Sequence, residues 1–145
     1  MGWTGLWIVL GTLLAGTLAG ALLRWREGRI RPTRDEPAPT AELPTQVTEV
    51  LVAAPAVTLV QISTTFCSPC RHAHARLAAL AESTPELHHV DLDVTHQPEV
   101  AHQLGVRRTP TTIAFDANGA ELLRVSGVPV NDELLSALQP HFANR

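Results

Sequence analysis

The only two cysteines of this 145-residue chain stand in one run, Cys67-Ser68-Pro69-Cys70. They have each other, a metal ion or a partner protein to bond with, and the multi-disulfide framework of a small secreted scaffold is excluded. Exchange chemistry at such a pair needs a thiolate, because an ordinary thiol with a pKa of about 8.5 is mostly protonated at neutral pH. A place just ahead of a helix meets that need, since unpaired backbone N–H groups and the helix macrodipole favour an anion there. The two-residue spacing puts Cys70 one turn into the helix, within reach of the first sulfur. Cys67 is then the attacking thiol and Cys70 the one that resolves a mixed disulfide.

The surrounding sequence is expected to build that setting. Val57 to Ser63 is an apolar, β-branched run that reads as a buried strand leading to the dithiol. A helix opens near Ser68-Pro69, where proline suits the first turn, and runs through Leu77 and Leu80 to Ser83-Thr84-Pro85. Leu87 to Val94 reads as a second strand, with His89, Asp91 and Asp93 on one side and His88, Val90, Leu92 and Val94 on the other. A short helix follows over Pro98 to Leu104, ended by Gly105. Thr111 to Phe115 and Ala120 to Val125 are strands joined by the turn Asp116-Ala117-Asn118-Gly119. A last helix, capped by Asn131, carries the stripe Leu134, Leu135 and Leu138. Thr45 to Ala54 is weakly helical. The order describes an α/β domain with a central mixed sheet flanked by helices.

Two motifs in this frame carry a resemblance. Phe66-Cys67-Ser68-Pro69-Cys70 is similar to the aromatic-Cys-x-Pro-Cys active site of the thioredoxin superfamily, and Val106-Arg107-Arg108-Thr109-Pro110-Thr111 to its Val-x-x-x-Pro-Thr segment. The chain resembles that superfamily over roughly Val57 to Phe142. The resemblance implies a thioredoxin-like fold, disulfide exchange with protein substrates, and no bound cofactor beyond the redox-active Cys67–Cys70 disulfide. It also implies a cis-proline at Pro110 and a substrate platform of Phe66, Ser68, Pro69, Thr109, Pro110 and Gly127. A platform of that kind reads main chain more than side chains. Phe66 and Ser68 depart from the Trp and Gly usual in the family. Gln61 stands where the family commonly buries an Asp that assists proton transfer, and an amide cannot act as a general base.

Ahead of the domain, no residue from Gly2 to Leu23 is charged. About 20 apolar residues cross a hydrocarbon core of roughly 30 Å, so residues 3–23 read as a single membrane span, with Trp3, Trp7 and Trp25 towards its ends. A cleaved signal peptide would carry basic residues before the apolar run, whereas here Arg24 and Arg26 follow it. With Arg29, Arg31 and Arg34 also after the span, the positive-inside rule puts the domain on the cytoplasmic side, with the extracytoplasmic orientation as the alternative. The organisation read from sequence is an anchor over 1–25, an Arg- and Pro-rich linker over 26–45 and the domain over 46–145. The proline-rich part of the linker, at about 3.1 Å per residue in an extended state, would hold the domain some tens of Å from the bilayer.

A net charge of -3, with no basic cluster interleaved with aromatics in the domain, leaves no electrostatic footprint for nucleic acid. The expected partners are protein thiols and disulfides and an unidentified redox partner. Two rival readings use the same residues: a non-catalytic binding module, and a transient carrier of copper on the cysteines. Cys67, Cys70, His72 and His74 offer four ligands, but Cys70 and His74 share a helix face that His72 does not, so no tetrahedral metal site is expected. Asp91, Asp93, Asp35 and Glu36 read as solvated charges, and the seven histidines as solvated side chains, with His72, His74 or Arg71 in position to tune the thiolate.

Overall fold

The computed structural model describes residues 2–26, 30–32, 43–51 and 55–142. The elements are α1 (Gly2–Arg26), β1 (Ile30–Pro32), α2 (Thr45–Leu51), β2 (Val57–Ser63), α3 (Ser68–Ser83), β3 (Leu87–Asp93), α4 (Pro98–Gln103), β4 (Thr111–Asp116), β5 (Glu121–Ser126) and α5 (Asn131–Phe142). The strands form one mixed sheet in the order β1-β5-β4-β2-β3. β2 and β3 run parallel with α3 between them in sequence, and β4 lies antiparallel to β2 on its other side.

Burial follows from this topology. Every residue of β2 is buried, as a strand with a neighbour on each side and helices on both faces must be. Its two-residue alternation divides the core. Val57 and Leu59 join Leu77 and Leu80 of α3 and Leu134 and Leu138 of α5, while Val60 and Ile62 join Val47, Leu51, Val100 and Phe115 on the α2 and α4 side. Gln61, in phase with Val57 and Leu59, therefore lies under α3, as do the β3 residues in register with that set, His89 and Asp91. The β4–β5 turn is closed by Asp116 Oδ1, which accepts from the backbone N–H groups of Asn118 and Ala120, and by Gly119, whose φ of 83° a side chain would oppose.

Two expectations change. Ile30–Pro32, expected as linker, is an edge strand antiparallel to β5, with Ile30 opposite Val125 and Pro32 opposite Leu123. An edge position tolerates the missing N–H of Pro32, and three residues are too few to show a strand period. The linker assignment of 26–45 thus fails at 30–32, while 33–42 lie outside the described residues. Asn131 does not cap α5: its Oδ1 accepts no hydrogen bond among the described residues, and its Nδ2 donates to Arg76 O at 3.4 Å. Helix α2 is described to Leu51, and 52–54 of the expected helix lie outside the described residues.

Helix α1 exposes its apolar side chains. Its segment Gly5–Trp25 has a mean hydropathy of 2.1, and none of it is buried against the domain. The hydroxyls of Thr12 and Thr17 donate back to Ile8 O and Leu13 O, both at 2.9 Å.

Candidate active site

Strand β2 ends at Ser63, and after a short turn the chain enters α3 with Cys67 as its N-cap and Pro69 in its first turn. Cys67 has extended backbone angles, and its Sγ accepts a hydrogen bond from the Cys70 N–H at 3.2 Å. That is the geometry in which a helix start supports a sulfur anion. Cys67 and Cys70 are joined in a disulfide with a Cα–Cα distance of 5.2 Å. Their environments differ: Cys70 is 3% exposed, whereas Cys67 is half-buried beside Phe66, which is 94% exposed. Of the two sulfurs, Cys67 is therefore the more accessible.

The turn before Cys67 is held from β3. Asp93 Oδ2 accepts from the Thr65 hydroxyl at 3.1 Å, its Oδ1 from the Thr95 N–H at 2.8 Å, and Thr95 Oγ1 from the Thr65 N–H at 2.8 Å. The Thr95 hydroxyl and N–H, with a lesser contribution from the Thr65 hydroxyl, hold the Asp93 carboxyl below the usual carboxylate range, against an opposing effect of desolvation.

Under the dithiol lies a polar chain. Gln61 is fully buried, and its Nε2 donates to Cys70 O at 2.9 Å. Its Oε1 is then free to accept from His89 Nε2–H at 3.2 Å. Burial pushes the His89 imidazole down to about 4, helped by nearby His74 and, less, His88, and opposed by Asp91. His89 is therefore neutral at neutral pH, which suits its role as donor to the Gln61 oxygen. Its ring meets that of His74 edge-on, with centroids 5.0 Å apart. His74 Nδ1 lies 3.3 Å from Asp91 Oδ2, and the Ser63 hydroxyl donates to Asp91 Oδ1.

The second motif arrives at the same end of the sheet. The Thr109–Pro110 bond is cis, and Thr111 pairs with Ile62, which sets Pro110 level with the C-terminal end of β2. The loop is pinned by the Thr111 hydroxyl on Arg108 O at 2.8 Å and by the Gly127 N–H on Pro110 O at 2.8 Å. Gly127 has a φ of 93°, which explains a glycine there. Pro110 is buried and Thr109 half-buried, while Ser68 and Pro69 are exposed on the first turn of α3. Pro110 and Gly127 are thus in direct contact.

Sequence reasoning set His74 one turn from Cys70, in position to tune the thiolate, but read His89 and Asp91 as solvated charges and side chains. The signal was present in two periods: β3 in register with β2 carries His89 and Asp91 to the α3 side, and His74 follows Cys70 by one helical turn. Among the described residues, no group of three or more His, Cys, Asp or Glu side chains is gathered as a metal site.

The thioredoxin family model matches residues 41–140. The chain is similar to thioredoxin-2 of Pyricularia oryzae, 34% identical over 84 residues, a stretch covering 57% of this chain and 48% of that protein. It is similar also to the thioredoxin of Chlamydia muridarum, 33% identical over 88 residues, 61% of this chain and 85% of the other. Among solved structures, a mutant thioredoxin from Halobacterium salinarum superimposes with a TM-score of 0.61 at 24% identity, covering 70% of this chain and 88% of that one, and shows the same fold.

Proposed function

This chain belongs to the thioredoxin family, and from that premise we propose that it is a membrane-tethered thiol–disulfide oxidoreductase acting on protein substrates through Cys67 and Cys70. The observation that carries the reading is the asymmetric pair at the start of α3, an accessible N-cap sulfur backed by a buried one. In the reducing direction the Cys67 thiolate attacks one sulfur of a substrate disulfide, forming a mixed disulfide and expelling the first substrate thiolate. Cys70, once deprotonated, attacks Cys67 Sγ and expels the second. Two electrons pass to the substrate, and the enzyme is left with the Cys67–Cys70 disulfide. The opposite direction runs the same steps backwards.

Substrate would lie as an extended strand against Thr109, Pro110 and Gly127, with Phe66, Ser68 and Pro69 offering apolar and backbone contact beside the sulfur. No cofactor enters the cycle. The apolar helix α1 supports a single-pass anchor, and the arginines that follow it support a cytoplasmic domain. Because β1 is fixed to β5, the four Cα–Cα steps from Arg26 to Ile30 bound the separation of helix and sheet edge to about 15 Å. The domain would therefore work close against the bilayer, on substrates presented there. The test is insulin reduction by dithiothreitol in the presence of the full chain in detergent micelles. A rate above background that Cys67→Ala abolishes is expected, and a rate no higher than background would overturn the enzymatic reading. Orientation is read by a C-terminal reporter fusion, in which an active extracytoplasmic reporter would overturn the cytoplasmic assignment.

A further inference from the structure

The exchange cycle needs somewhere to put one proton. When Cys67 is bound to a substrate sulfur, Cys70 enters resolution as a thiol, and that proton must leave before its sulfur attacks. Gln61, the buried side chain bonded to the Cys70 carbonyl, is an amide and accepts no proton in this range. The two cysteines open instead onto a cleft of about 370 Å³ that they share with Ser63, Arg71, His74, Asp91 and Asp93. His74 is the one imidazole lining it among the described residues, and it follows Cys70 by one turn on the same face of α3.

The partners of His74 are arranged for a base. Its Nδ1 faces Asp91 Oδ2 at 3.3 Å, and Asp91 is in turn held by the Ser63 hydroxyl. A carboxylate there fixes the Nδ1–H tautomer, leaves the Nε2 lone pair free and stabilises the imidazolium once formed. The charged and titratable groups facing His74 are Arg71 from its own helix and His89, Asp91 and Asp93 from β3. Of these, His89 is neutral at neutral pH and carries no charge towards His74.

We propose that His74, oriented by Asp91, accepts the Cys70 thiol proton at Nε2 during resolution. The inference rests on the exchange reading above and assigns a step within it. Cys70 Sγ–H gives its proton to His74, its electron pair forms the bond to Cys67 Sγ, and the Cys67–substrate bond breaks with its electrons on the departing thiolate. The imidazolium then returns the proton to that thiolate or to solvent, and no other oxidant or reductant is needed.

The experiment follows the reduced full chain, in detergent micelles, mixed with the chromogenic aryl disulfide of 5-thio-2-nitrobenzoate. The first phase of thiolate release reports attack by Cys67 and the second reports resolution by Cys70. His74→Gln is expected to slow the second phase by about 100-fold and leave the first within about twofold, in line with the usual value of positioned general bases. The wild-type second phase should rise with pH as an imidazole loses its proton, and that rise should vanish in the variant. Asp91→Asn should slow the second phase by about tenfold, and imidazole in the buffer should restore resolution to His74→Ala. A second phase in His74→Gln within about twofold of wild type, with an unchanged pH profile, would overturn the assignment of His74 alone. A wild-type chain showing neither phase would overturn the exchange reading itself.

Discussion

Lowering the pH from 7 to 4.5 should weaken the domain through His89. The unfolded chain takes up a proton near pH 6.5, whereas burial holds the folded imidazole down to about 4. Between those values the unfolded state binds more protons, so stability is fully present above pH 6.5 and is lost as the pH falls towards 4. Two pH units at about 1.4 kcal/mol each give about 2.8 kcal/mol at pH 4.5. His89 is only half-buried, so solvent screening reduces this to about 1.4 kcal/mol. At a urea m-value of about 1.5 kcal/mol/M that is a fall of about 0.9 M in the unfolding midpoint. Trp3, Trp7 and Trp25 all lie in α1 and the chain has no Tyr, so unfolding is followed by circular dichroism instead of fluorescence. His89→Gln keeps a donor for the Gln61 oxygen but does not titrate, and it should lose most of that pH dependence. Asp93, with its carboxyl held low by Thr95 and Thr65, contributes alike in wild type and in His89→Gln, so its own pH dependence cancels in the difference. If wild type and His89→Gln lose the same stability between pH 7 and 4.5, the placement of a neutral His89 under the dithiol is wrong.

Leu134→Ala removes a fully buried side chain where α5 meets α3 and β2 and should cost about 2–5 kcal/mol, read from urea midpoints. Arg124→Ala breaks a two-point pair with Glu121, both bonds 2.9 Å, and a 2.8 Å bond to Leu104 O. It should cost about 1–2 kcal/mol in the same assay while leaving disulfide exchange unchanged. Adding a flexible Gly/Ser insert between Arg26 and Ile30 should leave exchange with soluble insulin unaffected and extend the reach to substrates far from the bilayer, as measured with bilayer-anchored disulfide probes on spacers of graded length.

Much of this molecule was legible where local pattern and tertiary role coincide. The apolar run of β2, the Pro69 helix start and the Asp116–Gly119 turn each state their structure in a few residues, because burial, helix entry and a tight turn each demand particular side chains. The two ends of the site, Cys67-Cys70 and Thr109-Pro110, are far apart in sequence, and it was the motif resemblance, not periodicity, that paired them. What escaped was set by long-range contact. Ile30–Pro32 is a strand only because β5 offers it an edge, and Ile-Arg-Pro carries no period of its own. His89 and Asp91 look like ordinary surface polar residues until the register of β3 with β2 brings them against His74, one turn from Cys70. Asn131 was misjudged in the opposite sense, since a good capping residue was drawn into a contact with Arg76 across α3 and α5.

The most direct test of the central claim traps the mixed disulfide. Cys70→Ser in the full chain, incubated with a peptide disulfide and examined by intact mass and tryptic mapping, should accumulate one peptide adduct on Cys67, because the sulfur that would release it is gone. Cys67→Ser should accumulate none at Cys70, which is buried. An adduct on Cys70 in the second variant, or no adduct in the first, would contradict the assignment of Cys67 as the attacking sulfur and Cys70 as the resolving one.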